Sequence, residues 1–174
     1  MIASSNIRTL IKGFEGFRNT AYKDGNVYSI GYGNTYYANG VAVKAGDRIS
    51  ESEGTKLFNT VLDQFCKEVS KLITSKVNQN QFDALVSLVY NIGISAFRNS
   101  TLLRKVNANP NDSTIRAEFL KWVNSGGKEL PGLVKRRKEE ADYYFSKTSG
   151  LSPFFLIAVG LIGAGIILSN QGDE

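Results

Sequence analysis

Twice within its first fifty residues the chain changes the spacing of its apolar side chains, and this double switch leaves few folds open. Ile7, Leu10, Ile11 and Phe14 fall at i, i+3, i+4 and i+7 behind the capping candidates Ser4 and Ser5. That spacing predicts a first helix with Glu15 just past its apolar stripe and Gly16 as its stop. In "AYKDGNVYSIGYG" the period shortens: Tyr22, a turn at Asp24-Gly25-Asn26 and the stretch 27–32 predict a hairpin, and Asn39-Gly40 predicts a second turn into "VAV". Beyond Asp47 every pattern is helical. Ser50 and Glu53 make a capping box before a stripe of Phe58, Leu62, Phe65, Val69, Leu72 and Ile73. Asn78 or Asn80 caps a denser helix with Phe82, Leu85, Val86, Leu88 and Val89, closed by Gly93. Three shorter helices follow, in "STLLRKVNAN", in "STIRAEFLKWV" with Phe119 and Trp122 as core anchors, and in "LPGLVKRRKEEADYYF" to about Ser146. The expected fold is α+β, a small N-terminal antiparallel sheet followed by a helical bundle, with a ligand cleft between the two parts.

Composition narrows the chemistry. With 174 residues, 42% of them hydrophobic, the chain has material for one medium domain and a true core. It contains no histidine, which sets aside Ser-His-Asp and Cys-His nucleophiles and zinc sites built on imidazole. Acid–base work falls to carboxylates, Lys, Tyr or Cys. The single cysteine, Cys66, lies on an apolar stripe and is read as an inert core thiol with no disulfide partner. A net charge of +5 favours polyanionic partners such as anionic lipid or acidic envelope polymers. The densest basic run, "KRRKEE" at 135–140, alternates into acid and is read as a solvated helix face rather than a nucleic-acid patch. "GYG" at 31–33 lacks the Lys and the full glycine pattern of a phosphate loop. "IASSNIRTLIKGF" after Met1 has helical spacing and is not a secretory signal.

The far end has a different character. No residue of 148–172 is charged, and "FFLIAVGLIGAGIIL" at 154–168 is apolar or glycine throughout. Widened by its neighbours, this segment approaches the minimum needed to cross a hydrocarbon core about 30 Å thick. It is apolar on every face and rich in glycine, as bilayer helices are. The expected organisation is therefore a catalytic domain over 1–147, a linker over 148–152, a transmembrane helix over 153–170 that contacts a lipid bilayer, and a short acidic tail over 171–174. The basic flank before the apolar segment places the main domain on the cytoplasmic side of a cell membrane.

Glu15 at a helix end and Asp24 at the tip of the adjacent hairpin flank the expected junction of sheet and bundle. One carboxyl protonating a leaving oxygen while another stays ionised suits glycosidic bond cleavage, although acidic residues beside glycine turns are common in any case. "EGFRNTAYKD...VYSIGYGNT", with "NQFDALVSLVYNIGISAFRNSTLLRKVN" and "PGLVKRR", resembles the bacteriophage-type lysozymes, glycoside hydrolase family 24, over about residues 5–146. The resemblance implies a lysozyme-like fold, bacterial peptidoglycan as the substrate, and hydrolysis of its β-1,4 bond between N-acetylmuramic acid and N-acetylglucosamine without metal or cofactor. It implies Glu15 as the proton donor, Asp24 as the second carboxylate and Ser29 as the water-holding hydroxyl. The family usually has a threonine at the last position, one residue farther from the aspartate, and a histidine where this chain has Asn34. Thr35, Tyr90 and Ser100 are carried over as sugar-contacting positions, against plain roles as turn hydroxyl, core aromatic and N-cap. Arg136 or Arg137 could reach the cleft to hold a carboxylate, with solvent the expected destination. A viral origin and a monomeric catalytic domain are expected. Two alternatives stay open: a lytic transglycosylase using Glu15 alone, and a non-catalytic wall-binding or structural membrane protein of a virus particle.

Overall fold

The structure, a computed structural model, describes residues 1–147. The expected linker 148–152, the apolar segment 153–170 and the tail 171–174 lie outside the described residues. In chain order the elements are α1 (Ser5–Glu15), β1 (Arg18–Asp24), β2 (Val27–Gly31), α2 (Glu51–Leu72), α3 (Gln79–Ile92), α4 (Ile94–Arg98), α5 (Thr101–Ala108), α6 (Ile115–Phe119), β3 (Asn124–Ser125), β4 (Lys128–Glu129) and α7 (Pro131–Phe145). No helix among the described residues is long and apolar enough to cross a membrane.

Local chemistry sets the ends of the main helices. The Ser4 hydroxyl accepts from the Ile7 amide and caps α1, while Ser50 with Glu53 and Asn78 with Gln81 form reciprocal capping boxes on α2 and α3. Residues 81–89 of α3 are buried on every side, so this helix is the axis of the bundle, packed against α1, α2, α4 and α7. Ile7, Ile11, Phe58, Leu62, Val69, Phe82, Leu85 and Phe119 are fully enclosed around it, each such side chain worth about 1.5–3 kcal/mol of burial. Cys66 belongs to the same core.

The hairpin region has a smaller core of its own. Ile30, Val43 and Leu57 are buried there, with Ala21, Tyr28, Tyr37 and Ile49 packed around them. Backbone hydrogen bonds knit the region together, including Ala21 N to Asp47 O at 2.9 Å and Ile49 N to Asn19 O at 2.8 Å. Leu57 is supplied by α2, the helix that runs from this lobe into the bundle.

Three expectations need correction. The stretch beyond Asp47 is not wholly helical, because β3 and β4 form a short antiparallel hairpin across Gly126-Gly127. The helix expected to reach Trp122 ends at Phe119, and Trp122 is only partly buried against the core. The run at 135–140 is not a solvated face, since Arg136, Arg137 and Glu140 are all buried.

Candidate active site

Glu15 is the last residue of α1, where Gly16 turns the chain out of the helix at φ 66° and returns its amide to the Lys12 carbonyl. Its side chain is 19% exposed. One carboxylate oxygen, Oε1, accepts from Arg136 Nη1 at 2.8 Å. The other faces the tight return after β2, in which Ile30 and Asn34 exchange backbone hydrogen bonds. Gly33 sits in that return at φ +80°, and a Cβ there would lie 3.1 Å from Glu15 Oε2. Only glycine combines this backbone angle with room for the carboxylate.

Arg136 was expected in solvent and instead spends every nitrogen inside. Besides Glu15, it donates from Nε to Glu140 Oε1 at 3.1 Å and from Nη2 to the Ser87 carbonyl at 3.2 Å, with its guanidinium over the Phe14 ring. Burial works against its charge, but Glu140 and Glu15 outweigh burial and hold the guanidinium above its ordinary range. Glu140 also accepts from the Ser87 hydroxyl at 2.7 Å and from Arg137 Nη2 at 3.0 Å. Burial pushes Arg137 down to about 10, against the pull of Glu140. A charged cluster joining α7 to α3 therefore fixes one end of the Glu15 carboxylate.

Asp24 closes β1 opposite Val27, across the two-residue loop Gly25-Asn26. Gly25 alone in that loop has a positive φ, 59°, the pattern of a type II′ turn. Strand alternation then sorts the hairpin's faces. Ala21, Tyr28 and Ile30 point into the small core. Tyr22 and Asp24, two residues apart, share the other face with Ser29, which pairs directly with Tyr22. Burial raises the Tyr22 pKa, and the charges of Asp24 and Glu15 raise it further. Ser29 is completely buried, and among the described residues no group meets its Oγ in hydrogen-bond geometry.

Beyond Gly33 opens a cavity of about 660 Å³. The loop 33–40 forms one wall, Val61, Phe65 and Glu68 of α2 another, and residues 90–94 the remainder. Thr35 and Tyr90 line it. Tyr90 also has a packing role: its ring lies between Phe58 and Phe65, and its hydroxyl donates to the Tyr32 carbonyl at 2.8 Å. Asn34 is buried beside that hydroxyl. Ser100 is placed elsewhere. It is the N-cap of α5, accepting from the Leu103 amide and donating to the Phe97 carbonyl at 2.7 Å, and it does not line the cavity. Glu15 stands behind Gly33 at one end of the cavity, and Asp24, exposed at the hairpin tip, is outside its lining.

The arrangement has one carboxylate shielded and fixed by an arginine and a second, solvated one on a neighbouring element. Such a pair can divide acid and base roles between two environments. Among the described residues no group of acidic and cysteine side chains is disposed to hold a metal ion.

Residues 12–140 match the phage lysozyme family. An endolysin of Bacillus phage B103 is 45% identical over 143 residues, covering 80% of this chain and 52% of that protein; the chain spans about half the length of the first curated relatives it matches. Among solved structures, the endolysin from Escherichia coli O157:H7 phage FAHEc1 superposes with a TM-score of 0.74 at 35% identity, covering 83% of this chain and 94% of the other. A P22 lysozyme mutant superposes with a TM-score of 0.71 at 36% identity, covering 84% and 99%.

Proposed function

This chain belongs to the phage lysozyme family, and from that premise we propose that it is a glycoside hydrolase, an endolysin-type muramidase of family 24 acting on bacterial peptidoglycan. In this reading Glu15 protonates the oxygen leaving the β-1,4 bond between N-acetylmuramic acid and N-acetylglucosamine. Asp24 stays ionised and takes the proton of a water that adds to the anomeric carbon, or stabilises the positive charge developing on the sugar. The observation that carries the reading is Glu15, shielded and held by Arg136 behind Gly33 at the end of a groove large enough for sugar rings, with Asp24 solvated on the neighbouring hairpin. Purified chain incubated with cell walls should release new reducing N-acetylmuramic acid ends, identified by mass spectrometry. Walls that bind the protein and stay uncleaved would refute the reading.

One observation favours a second reading. The Ser29 hydroxyl is closed to solvent as the structure stands, and an enzyme that cannot hold its water would close the sugar on itself. Anhydro-muramic ends without reducing ends would mark such a lytic transglycosylase.

The apolar segment at 153–170 is proposed as a bilayer anchor for a phage lysis enzyme, on the strength of its composition alone. The full chain should then sediment with membranes while a 1–147 fragment stays in the supernatant.

A further inference from the structure

Two adjacent tyrosines on the wall of the groove are used differently. Residues 35–43 form a small hairpin of their own. Tyr36 is bridged to Ala42, the Val43 amide donates to the Thr35 carbonyl at 2.9 Å, and the Tyr37 amide donates to the Val41 carbonyl at 2.8 Å. Side chains alternate along such a backbone. Tyr37 turns inward, packs on the lobe core of Ile30, Val43 and Leu57, and donates its hydroxyl to Asp47 Oδ2 at 3.1 Å. Tyr36 therefore turns the other way. It lines the groove and is 54% exposed, and among the described residues its side chain has no hydrogen bond, ion pair or ring contact. Across the groove, α2 presents Val61, Gln64, Phe65 and Glu68 at the i, i+3, i+4 and i+7 spacing of one helix face. Glu68 is committed to Lys71 Nζ at 2.7 Å, whereas the exposed Gln64 amide has no such partner among the described residues.

We propose that Tyr36 and Gln64 form a sugar subsite, in which the Tyr36 ring stacks on the face of one pyranose of the glycan strand and the Gln64 amide bonds its polar rim. The proposal rests on the muramidase reading and deepens it, by naming residues that grip the strand away from the bond that breaks. A β-1,4-linked pyranose keeps its large substituents equatorial. Its faces are therefore C–H surfaces, and its rim carries hydroxyls and, in these sugars, an acetamido group. An aromatic ring covers such a face, and one amide side chain can both donate to and accept from the rim. The groove has the matching composition, since Val61 and Phe65 flank Gln64 on one wall and Tyr36 stands on the other. Position separates this subsite from the chemistry. Glu15 lies behind Gly33, and Tyr36 follows farther along the same wall, within about 11 Å of extended chain. A sugar held there is a neighbour of the one that reacts. Its contacts are the same before the bond breaks and as it breaks, so they act on binding rather than on the chemical step.

The test uses the full chain, its Tyr36→Ala, Tyr36→Phe, Tyr36→Thr and Gln64→Ala variants and the Tyr36→Ala, Gln64→Ala double variant. Each is measured for kcat, KM and thermal midpoint, with soluble glycan strands released from cell walls as substrate. Tyr36→Ala should raise KM about 3- to 10-fold, in the range for one aromatic contact, with kcat and the thermal midpoint near wild type. Tyr36→Phe should keep the wild-type KM, because stacking uses the ring and not the hydroxyl. Gln64→Ala should raise KM by about the same 3- to 10-fold, the effect of losing one uncharged hydrogen bond. The double variant should fall short of the product of the two single effects, since both groups hold the same sugar. If Tyr36→Ala loosens the small hairpin, Tyr36→Thr, which suits a strand, supplies the same KM readout. Wild-type KM in both truncations of Tyr36, a loss confined to kcat, a Tyr36→Phe variant as impaired as Tyr36→Ala, or fully independent effects in the double variant would overturn the subsite while leaving the muramidase reading intact. A wild-type chain that cleaves neither strands nor walls would overturn both.

Discussion

The helical bundle and the hairpin lobe are held together by different means. The bundle surrounds α3 with a continuous core drawn from α1, α2, α5 and α7, and its buried Arg136 and Arg137 are tied together through Glu140. The lobe's apolar core is the small cluster of Ile30, Val43 and Leu57, one of them lent by α2, and the rest of its support is the β1–β2 ladder, turns and isolated bridges. Each part supplies one carboxylate to the junction. Glu15 comes from the end of a bundle helix and is clamped by Arg136, whereas Asp24 rides on an exposed turn. The difference teaches a division of labour: the proposed acid is set in the rigid part, and its partner sits on the element with the least buried support, where local opening is cheapest.

The largest effect should come from the bundle's charged cluster. Glu140→Ala strands two buried guanidiniums and should cost about 3–5 kcal/mol in urea unfolding, with activity lost as Arg136 no longer has a fixed position from which to hold Glu15. A next step sets the two cores against each other. Leu85→Ala should destabilise the whole chain by about 2–5 kcal/mol, whereas Ile30→Val should cost only about 0.5–1.5 kcal/mol. In hydrogen exchange, Ile30→Val should speed the hairpin amides and leave those of α3 unchanged; equal acceleration in both would show that the lobe has no independent stability. Smaller again is Gly33→Ala, which forces an L-residue to φ +80° at a cost of about 1–2 kcal/mol and pushes on Glu15 Oε2. Its kcat should fall more than its stability explains.

The smallest expected effect is a pH dependence in the bundle. Asp83 is fully enclosed and accepts from the Ser4 amide and hydroxyl and from Gln79. Burial nevertheless raises its pKa above the ordinary 3.8. The native state therefore binds the proton more tightly than the unfolded chain. The resulting stability is fully present below about pH 3.8 and is lost as pH rises through the higher folded value. Urea titrations should show wild type losing stability relative to Asp83→Asn as pH is raised across that window. A constant difference would contradict it.

Much of the bundle was legible because its signals are local. The stripe on α1, the capping boxes at Ser50 and Asn78 and the stop at Gly93 each lie within one or two turns of what they specify. The hairpin was legible for the same reason, through Gly25 and the alternation around it. Other short elements were not: α4 has too few turns for a period, and β3 and β4 are two residues each. The candidate site was half legible. Glu15 and Asp24 follow from helix end and turn, but the Arg136–Glu15 bond joins residues 121 positions apart, and no local pattern reports such a contact. A weaker signal was present. Arg137, Glu140, Ala141 and Tyr144 fall at i, i+3, i+4 and i+7 and are all buried, so the charged run continues the apolar stripe of α7 rather than facing away from it. Ser100 shows the converse, because a position read as sugar-contacting has both its bonds committed to a helix cap.

The central claim is that the side chain at position 15 delivers the proton that breaks the glycosidic bond. Its most direct test is the rate at which reducing N-acetylmuramic acid ends appear from cell walls treated with equal amounts of folded wild type and Glu15→Gln. The account predicts a drop of about 10²–10⁴-fold, the contribution of a positioned general acid, at an unchanged thermal midpoint. A Glu15→Gln protein that releases these ends at the wild-type rate would contradict it.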